Sequence, residues 1–286
     1  MPTKKFKEII PPRKAHSHKG DFGHVFILAG SRGLTGAAYL VSQACLLSGS
    51  GLVTLGIPES LNPIMEVKLT EVMTRPLPET KSLSLSLRAL KEIKKGISNF
   101  DALAIGPGLS QDTQTQKLVQ SLLPLIIRPL VLDADGINAL VGKLKLLHNL
   151  KSQLIITPHP GEMARLLNVK VEAVQKNRIT IARDFAKKHN VIVVLKGHRT
   201  VVADTNGKTF VNETGNPGMA SAGCGDILTG MIAAFLGQGV SPYFSAKLAV
   251  YLHGLAGDYA AKEKGQLSLI ATDILEKLPQ AIKTVV

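Results

Sequence analysis

Short runs of apolar residues recur along this chain, and each run ends in glycine, proline or aspartate. Each is nearly continuous in Val, Ile and Leu instead of alternating with polar residues, which is typical of strands covered on both faces. The sequence therefore predicts buried, mostly parallel strands. The runs are "HVFILAGS" (24–31), "GLVTLGIP" (51–58), "DALAIGPG" (101–108), "PLVLDADG" (129–136), "QLIITPHPGE" (153–162) and "NVIVVLKGH" (190–198).

Stretches with helical periodicity lie between these runs, at about 36–48, 83–95, 113–123, 171–188, 226–236 and 242–263. The alternation predicts an α/β fold, with a mostly parallel central sheet and helices on both faces. Segments 200–204 and 208–214 predict a β-hairpin at one edge of the sheet. Without a linker or a repeat, residues 1–286 are interpreted as a single domain, with a short N-terminal extension at about 1–12.

The chain is basic, with 34 Lys and Arg against 21 Asp and Glu and a formal net charge of +13. The basic residues are scattered, which favours a solvated surface with one anionic ligand site over a nucleic-acid-binding module. Two cysteines make no disulfide framework. The N-terminus lacks the long apolar core of a secretory signal, and no apolar run reaches the roughly 20 residues that span a bilayer. We therefore expect a cytoplasmic protein with no nucleic-acid or membrane partner.

A glycine-rich segment, "NETGNPGMASAGCGDILTG" at 212–230, precedes an apolar helical pattern that begins near Asp226. The first turn of a helix leaves amide groups unpaired, and a bare glycine backbone lets these amides approach a phosphate. A carboxylate beside such an anion hole suits a hydroxyl that must lose its proton while it attacks a phosphoryl group. Asp226 is thus a candidate general base; the alternative is a helix-capping Asp after a glycine-rich turn.

Five blocks of the sequence, between about residues 13 and 278, resemble the NAD(P)H-hydrate dehydratases of the ribokinase-like superfamily. This resemblance implies a ribokinase-like three-layer sandwich, and an enzyme of metabolite repair that is a lyase. The blocks are "HKGDFGHVFILAGS", "GLTGAA", "IGPGL", "TPHPGE" and "VVLKGHRTVV…NETGNPGMASAGCGDILTG".

The activity that the resemblance implies is dehydration of the S epimer of hydrated NADH or NADPH. ADP or ATP phosphorylates the hydroxyl of the hydrate, and phosphate is then eliminated. The resemblance also implies Mg²⁺, favours ADP over ATP, and suggests a homotetramer. An epimerase domain is expected to be a separate partner, since none precedes residue 18.

The resemblance also assigns roles to residues. Asp226 is the catalytic base and, with Ala37, Gly108 and His159, contacts the hydrated substrate. Glu162 is expected to orient magnesium through water, although a plain first-turn helix acid is an equal interpretation. The nucleotide-binding residues implied are Lys196, Gly197, His198, Arg199, Thr200, Gly223, Cys224 and Gly225.

An ordinary kinase of a small alcohol, such as a vitamin precursor, is the main alternative and predicts a stable phosphorylated product. Such kinases often carry T-P-N-x-x-E where this chain has His159 in "TPHPGE", which favours the dehydratase. Cys224 is interpreted as a small filler, with a lowered thiol pKa at a helix N-terminus as the alternative. Four further polar residues suggest function without an assignable role: Lys19, Asp21, Asp133 and Asp135.

Overall fold

A nine-stranded sheet forms the centre of the protein. The computed structural model describes Phe6, Ile9, Ile10 and residues 12–286. The strands are β1 (His24–Leu28), β2 (Leu52–Pro58), β3 (Met73–Leu77), β4 (Ala102–Ile105), β5 (Leu130–Leu132), β6 (Leu154–Ile156), β7 (Ile192–Leu195), β8 (Val201–Ala203) and β9 (Thr209–Val211).

Helices follow most of the strands. They are α1 (Thr35–Leu47), α2 (Asn62–Lys68), α3 (Ala89–Lys94), α4 (Thr113–Leu122), α5 (Ala134–Asn138), α6 (Pro160–Leu167), α7 (Val171–Lys176), α8 (Arg178–His189), α9 (Cys224–Gly237), α10 (Pro242–Lys264) and α11 (Ala271–Ile282). No helix among the described residues combines the length and hydropathy required to cross a membrane.

The strand order is β3-β2-β1-β4-β5-β6-β7-β8-β9. Strands β1–β7 pair in parallel, and β8 and β9 continue the sheet as an antiparallel hairpin at one edge. The predicted parallel sheet and the predicted edge hairpin are both confirmed. Because β1–β7 run in one direction, the loops after them meet at one edge of the sheet, where ligands bind in such folds.

Each face of the sheet is covered by its own hydrophobic cluster, which gives three layers. Alternate residues of β1 point to opposite sides: Val25 and Ile27 join the cluster under α1, α2, α9, α10 and α11. Phe26 and Leu28 join the cluster under α3–α8. This two-sided burial explains why the strands read as unbroken apolar runs instead of alternating ones.

Three local features differ from the sequence prediction. The helix expected at about 83–95 is confined to α3, because residues 80–86 form a turn in which Leu83 has φ 55°. The helix expected at 171–188 is two helices, α7 and α8, separated at Asn177. Strand β3 was not predicted, since its sequence "MTRPL" contains a proline and is partly exposed at the sheet edge.

The expected N-terminal extension, at about residues 1–12, lies largely outside the described residues. Within it, Phe6 is buried and stacks on Tyr251 of α10, with 5.2 Å between ring centroids. Phe6 therefore packs on the same helix layer that carries α9.

Helix α9 packs against α1 with almost no space between the two backbones. A Cβ atom added at Gly230 of α9 would lie 2.2 Å from the carbonyl oxygen of Val41 and 3.0 Å from the amide nitrogen of Cys45. The glycine therefore allows a close helix–helix contact, and this contact fixes where the first turn of α9 lies at the sheet edge.

We expect Gly230→Ala to destabilise the fold by about 1–3 kcal/mol, because the added methyl group overpacks a backbone-to-backbone contact. Gly36→Ala in α1 is the matched control, since a Cβ atom there meets nothing within 4 Å and alanine favours helix. Urea denaturation of both variants measures the difference. Equal midpoints for the two variants would contradict this account of the α1–α9 contact.

Candidate active site

Helix α9 begins beside the carboxyl edge of the sheet, with Gly223 as its N-cap in the left-handed region at φ 90°. The amides of Asp226 and Ile227 both donate to the carbonyl of Gly223, at 3.1 and 3.3 Å. The amides of Cys224 and Gly225 belong to the first turn, whose N–H groups have no intrahelical acceptor. The helix start can therefore receive an anion, and Asp226 stands next to it.

A buried ion pair lies against this helix start. Lys196, at the end of β7, donates from Nζ to Oδ1 of Asp133 at 2.7 Å, and Asp133 is 1% exposed at the end of β5. The other oxygen of Asp133 accepts a 2.7 Å hydrogen bond from Thr229 of α9. The ion pair therefore joins two strand ends to the helix that carries Asp226.

The same ammonium is close to the anion hole. A Cβ atom added at Gly225 would lie 3.2 Å from Nζ of Lys196, so the glycine keeps the first turn of α9 clear of the ammonium. Burial opposes the charge on Lys196, but Asp133 and Glu162 outweigh burial and raise its pKa. Lys196 therefore stays cationic at neutral pH.

Asp226 has an unusual acidity for a carboxyl group. Burial, followed by repulsion from Asp133, raises its pKa from 3.8 to about 7, although Lys196 acts in the opposite direction. A general base works best when its pKa lies near the working pH. The surroundings of Asp226 thus suit proton transfer. A carboxylate that only capped a helix would not need such a raised pKa.

His159 and Glu162 form a capping box at the start of α6. Nδ1 of His159 accepts from the amides of Gly161 and Glu162 at 3.0 and 3.3 Å, and the His159 amide donates to Oε2 of Glu162 at 2.7 Å. Burial, then Lys196, lowers the pKa of His159, so the imidazole is neutral near pH 7. Because Nδ1 accepts, Nε2 carries the proton; it lies 3.4 Å from Oε1 of Glu162 and is the ring atom that can donate to that carboxylate or to a ligand.

A cavity of about 760 Å³ opens beside the first turn of α9. One wall is the turn that follows β7, and the other is the loop between β9 and α9. The sequence-predicted residues that line this cavity are His159, Lys196, Gly197, His198, Arg199, Thr200, Cys224 and Gly225.

The backbone of the turn after β7 is held by hydrogen bonds from Arg178 of α8. Its guanidinium donates to the carbonyls of Leu195 at 2.9 Å and Lys196 at 3.1 Å, and also to that of His198. This support holds the cavity wall in place without placing Arg178 in the cavity lining.

Ala37 and Gly108 lie together, but outside the cavity lining. A Cβ atom at Gly108 would be 3.1 Å from Cβ of Ala37 and 2.9 Å from the carbonyl oxygen of Leu34. Oγ of Ser31 donates to the Gly108 carbonyl at 2.8 Å, which joins the loops after β1 and β4. Ala37 and Gly108, two of the four sequence-predicted substrate residues, thus form a second group at the same edge of the sheet.

The structure also corrects or refines single residues. The lowered thiol pKa considered for Cys224 is wrong, because burial raises its pKa, and Cys224 is 6% exposed. Gly223 is outside the cavity lining, and a Cβ atom there would be 2.5 Å from Cδ1 of Leu40. Asp135, left without a role by the sequence, lies in α5, and its Oδ2 accepts from the Ser110 amide at 2.8 Å.

Sequence reasoning left one member of the central cluster, Asp133, without a role and missed another, Thr229. Asp133 was noticed as a carboxylate after a buried strand, but its partners are distant in sequence and no local pattern reveals them. Thr229 lies three residues after Asp226 on the same side of α9, a spacing that could have indicated it. The remaining unassigned pair, Lys19 and Asp21, lies in a separate short 3-10 helix (Lys19–Phe22).

Magnesium is implied for the site, and the described residues contain no group of three or more His, Cys, Asp or Glu side chains that could hold a metal ion. Glu162 is 5% exposed, with Oε2 bound to the His159 amide and 3.9 Å from Nζ of Lys196. This carboxylate fits a contact through water, because magnesium commonly keeps several waters and takes further oxygens from substrate phosphates.

Comparison with known proteins places the chain in a family. The Carb_kinase family, described as NAD(P)H-hydrate dehydratase, matches residues 25–280. A bifunctional NAD(P)H-hydrate repair enzyme, Nnr, of Moorella thermoacetica is 46% identical over 274 residues, which cover 96% of this chain and 52% of that protein. The chain thus spans about half the length of the curated relatives it matches.

Solved structures support the same grouping. The ADP/ATP-dependent NAD(P)H-hydrate dehydratase of Bacillus subtilis, co-crystallised with ATP and Mg²⁺, is 32% identical with a TM-score of 0.87, covering 99% of this chain and 97% of that one. Hydroxyethylthiazole kinase of Pyrococcus horikoshii is 16% identical with a TM-score of 0.61, covering 98% and 94%. At that identity the kinase shares the fold alone.

These comparisons confirm the predicted ribokinase-like fold and the family resemblance, and they do not favour the small-alcohol kinase. The family match covers nine-tenths of the chain, from β1 to the end of α11. The chain therefore belongs to the NAD(P)H-hydrate dehydratase family.

Proposed function

We propose that this chain dehydrates hydrated NADH or NADPH at the expense of ADP or ATP, and so repairs damaged nicotinamide nucleotides. The observation that carries the proposal is Asp226, a carboxyl group with a pKa of about 7 in the first turn of a helix whose glycine backbone lines a cavity. The family assignment supplies the substrate class, and the site supplies the chemistry.

In the first step, the Asp226 carboxylate takes the proton of the hydrate hydroxyl, and the hydroxyl oxygen attacks the terminal phosphorus of the nucleotide. The bond from phosphorus to the leaving nucleotide breaks and releases AMP from ADP, or ADP from ATP. Amides at the start of α9 and the Lys196 ammonium stabilise the negative charge on the transferring phosphoryl group. Magnesium, when bound, neutralises phosphate charge, and Glu162 would orient it through water.

In the second step, the carbon–oxygen bond to the new phosphate ester breaks, and the neighbouring ring carbon loses its proton to the departing phosphate. Phosphate leaves, and the ring double bond of the dihydronicotinamide returns. The enzyme therefore begins as a kinase and ends as a lyase. We assign the hydrated ring to the Ala37 and Gly108 side of Asp226 and the adenine nucleotide to the cavity, with His159, which lines the cavity, contacting the ring from the cavity side.

Finer features of the proposal follow the family. We propose the S epimer as substrate, ADP as the favoured donor, a homotetramer in the cytoplasm, and a functional link to an NAD(P)H-hydrate epimerase. Within the cavity, the nucleotide would contact residues 196–200 and the amides of Cys224 and Gly225.

A dehydration assay tests the proposed activity directly. The protein is mixed with hydrated NADH or NADPH containing the S epimer, magnesium, and either ADP or ATP. We expect dihydronicotinamide absorbance to return with at least one nucleotide, and released phosphate to match it in amount. A stable phosphorylated product without recovered absorbance would instead support the small-alcohol type of kinase reaction.

We expect Asp226→Asn to lower kcat by about 10²–10⁴, because the general base is lost while the helix start and Lys196 remain. Calorimetric titration with ADP and ATP should show nucleotide binding within a fewfold of the unchanged protein. Asp184→Asn is the matched control, since Asp184 is exposed and pairs with Arg183 on α8. A kcat for Asp226→Asn as high as that of the control would remove Asp226 from the mechanism.

We expect kcat/KM for the hydrate to rise with pH and to level off above about 7. The pKa of Asp226 is raised to about 7, so the carboxyl is protonated and inactive below that pH and becomes a base above it. A pH series from 5 to 9 with phosphate release as the readout checks this. An acid limb centred near pH 4, the range of an unperturbed carboxyl, would contradict the assignment.

A further inference from the structure

One wall of the cavity is a loop with almost no regular structure. Residues 212–221 connect β9 to α9 and contain a single short 3-10 helix, Pro217–Met219. Most of these residues line the cavity. Because such a loop has no ladder of hydrogen bonds of its own, its conformation depends on what it contacts.

Helix α10 provides part of that contact through the carboxylate of Asp258. Oδ2 of Asp258 accepts from the amide of Gly215 at 2.9 Å, and Oδ1 accepts from Nδ2 of Asn216 at 3.0 Å. Oδ1 of Asn216 in turn accepts from the amide of Gly218 at 3.0 Å. Asp258 therefore holds one end of the loop directly and its 3-10 turn through Asn216.

Two glycines of α10, Gly254 and Gly257, leave the helix surface beside Asp258 without side chains where the loop contacts it. A Cβ atom at Gly254 would lie 2.2 Å from Oγ1 of Thr214, and one at Gly257 would lie 2.3 Å from Sδ of Met219. Oγ1 of Thr214 also donates to the Tyr251 carbonyl of α10 at 2.8 Å. The loop thus rests on the helix backbone, at a depth that any larger residue would change.

The backbone of the loop is specialised for this one arrangement. Gly215 has φ 102°, in the left-handed region that favours glycine. A Cβ atom at Gly218 would lie 2.7 Å from the carbonyl oxygen of Gln266. The two glycines and Asn216 are thus required by the position of the loop on α10 and on the segment that follows it, in addition to any contact with a ligand.

We propose that Asp258 is a positioning residue for the nucleotide: it holds the 212–221 wall of the cavity through Gly215 and Asn216. Asp258 itself is not part of the cavity lining and acts through the loop. The proposal rests on the proposed function to the extent that the cavity receives an adenine nucleotide. It leaves the hydrate side unaffected, because the loop carrying Gly108 is held separately by Ser31.

The test compares Asp258→Asn with Glu263→Gln, an acid-to-amide change at an exposed position of the same helix. In Asp258→Asn one carboxylate oxygen is replaced by an NH₂ group. This donor then faces another donor, either the Gly215 amide or Nδ2 of Asn216, and that hydrogen bond is lost. We expect the Kd for ADP or ATP, measured by calorimetry, and the nucleotide KM to rise by about tenfold. The hydrate KM and kcat should stay within twofold, and Glu263→Gln should match the unchanged protein.

Two further variants separate positioning from a general loss of folding. Asn216→Ala removes one of the two bonds from the loop side while α10 stays intact, and should raise the nucleotide Kd in the same direction. The exchange Asp258→Asn with Asn216→Asp restores a donor and an acceptor in reversed order, and should recover part of the affinity. Amide hydrogen exchange at 215–219 should be faster in both single variants and slower again in the exchange.

The outcomes decide the proposal independently of the dehydratase activity. Nucleotide binding that weakens in Asp258→Asn, in a protein that fails to dehydrate the hydrate, would support positioning and contradict the proposed function. An unchanged nucleotide Kd in both Asp258→Asn and Asn216→Ala would overturn positioning. So would a parallel rise in hydrate KM and nucleotide KM, or no ADP or ATP binding by the unchanged protein.

Discussion

The geometry of the site depends on one charge, the ammonium of Lys196, whose carboxylate partner Asp133 is buried. It contacts Asp133 at 2.7 Å and lies 3.9 Å from Glu162, and through Thr229 the same cluster is tied to α9. Removing one partner of a buried ion pair typically costs about 3–5 kcal/mol, because the other charge remains buried and unpaired. The pair is therefore a strong restraint on the relative positions of β5, β7 and the helix that carries Asp226.

The glycines near this cluster are explained by the close approach of neighbouring atoms to their Cα positions, and not by a need for flexibility. Gly230 brings α9 onto the backbone of α1, and Gly225 leaves room for the Lys196 ammonium. Gly106 has a similar role, since a Cβ atom there would lie 1.8 Å from the carbonyl oxygen of Asp133. These three glycines, on two segments, thus allow the Lys196 ammonium, the Asp133 carboxylate and the first turn of α9 to lie in contact.

The general fold was predictable from the sequence because it follows from periodicity. Strands buried on both faces produce continuous apolar runs, and these located six of the parallel strands and the edge hairpin. Strand β3 was not predicted, because an edge strand needs little apolar sequence and tolerates a proline such as Pro76. The break between α7 and α8 at Asn177 also left no clear signal, since apolar residues continue on both sides of it.

The site was predictable where its chemistry is local in sequence. Asp226 and the glycines before it stand together in one motif, so the anion hole could be inferred. The partners of Asp133 are 63 and 96 residues away, and Asp258 meets its loop 42 and 43 residues earlier in the chain. Contacts of this kind depend on how strands and helices are arranged, which residue spacing does not reveal.

The charge balance of the cluster connects the acidity of Asp226 to its proposed work. Three carboxylates, those of Asp133, Glu162 and Asp226, surround one lysine, while neighbouring His159 has a lowered pKa and stays neutral. A nucleotide phosphate would be repelled by this group if every carboxylate were ionised. Because the pKa of Asp226 is about 7, this carboxyl is less ionised at neutral pH than an ordinary one and repels the phosphate less, while its ionised form is a stronger base toward the hydroxyl. The burial that weakens Asp226 as an acid therefore serves both anion binding and base catalysis.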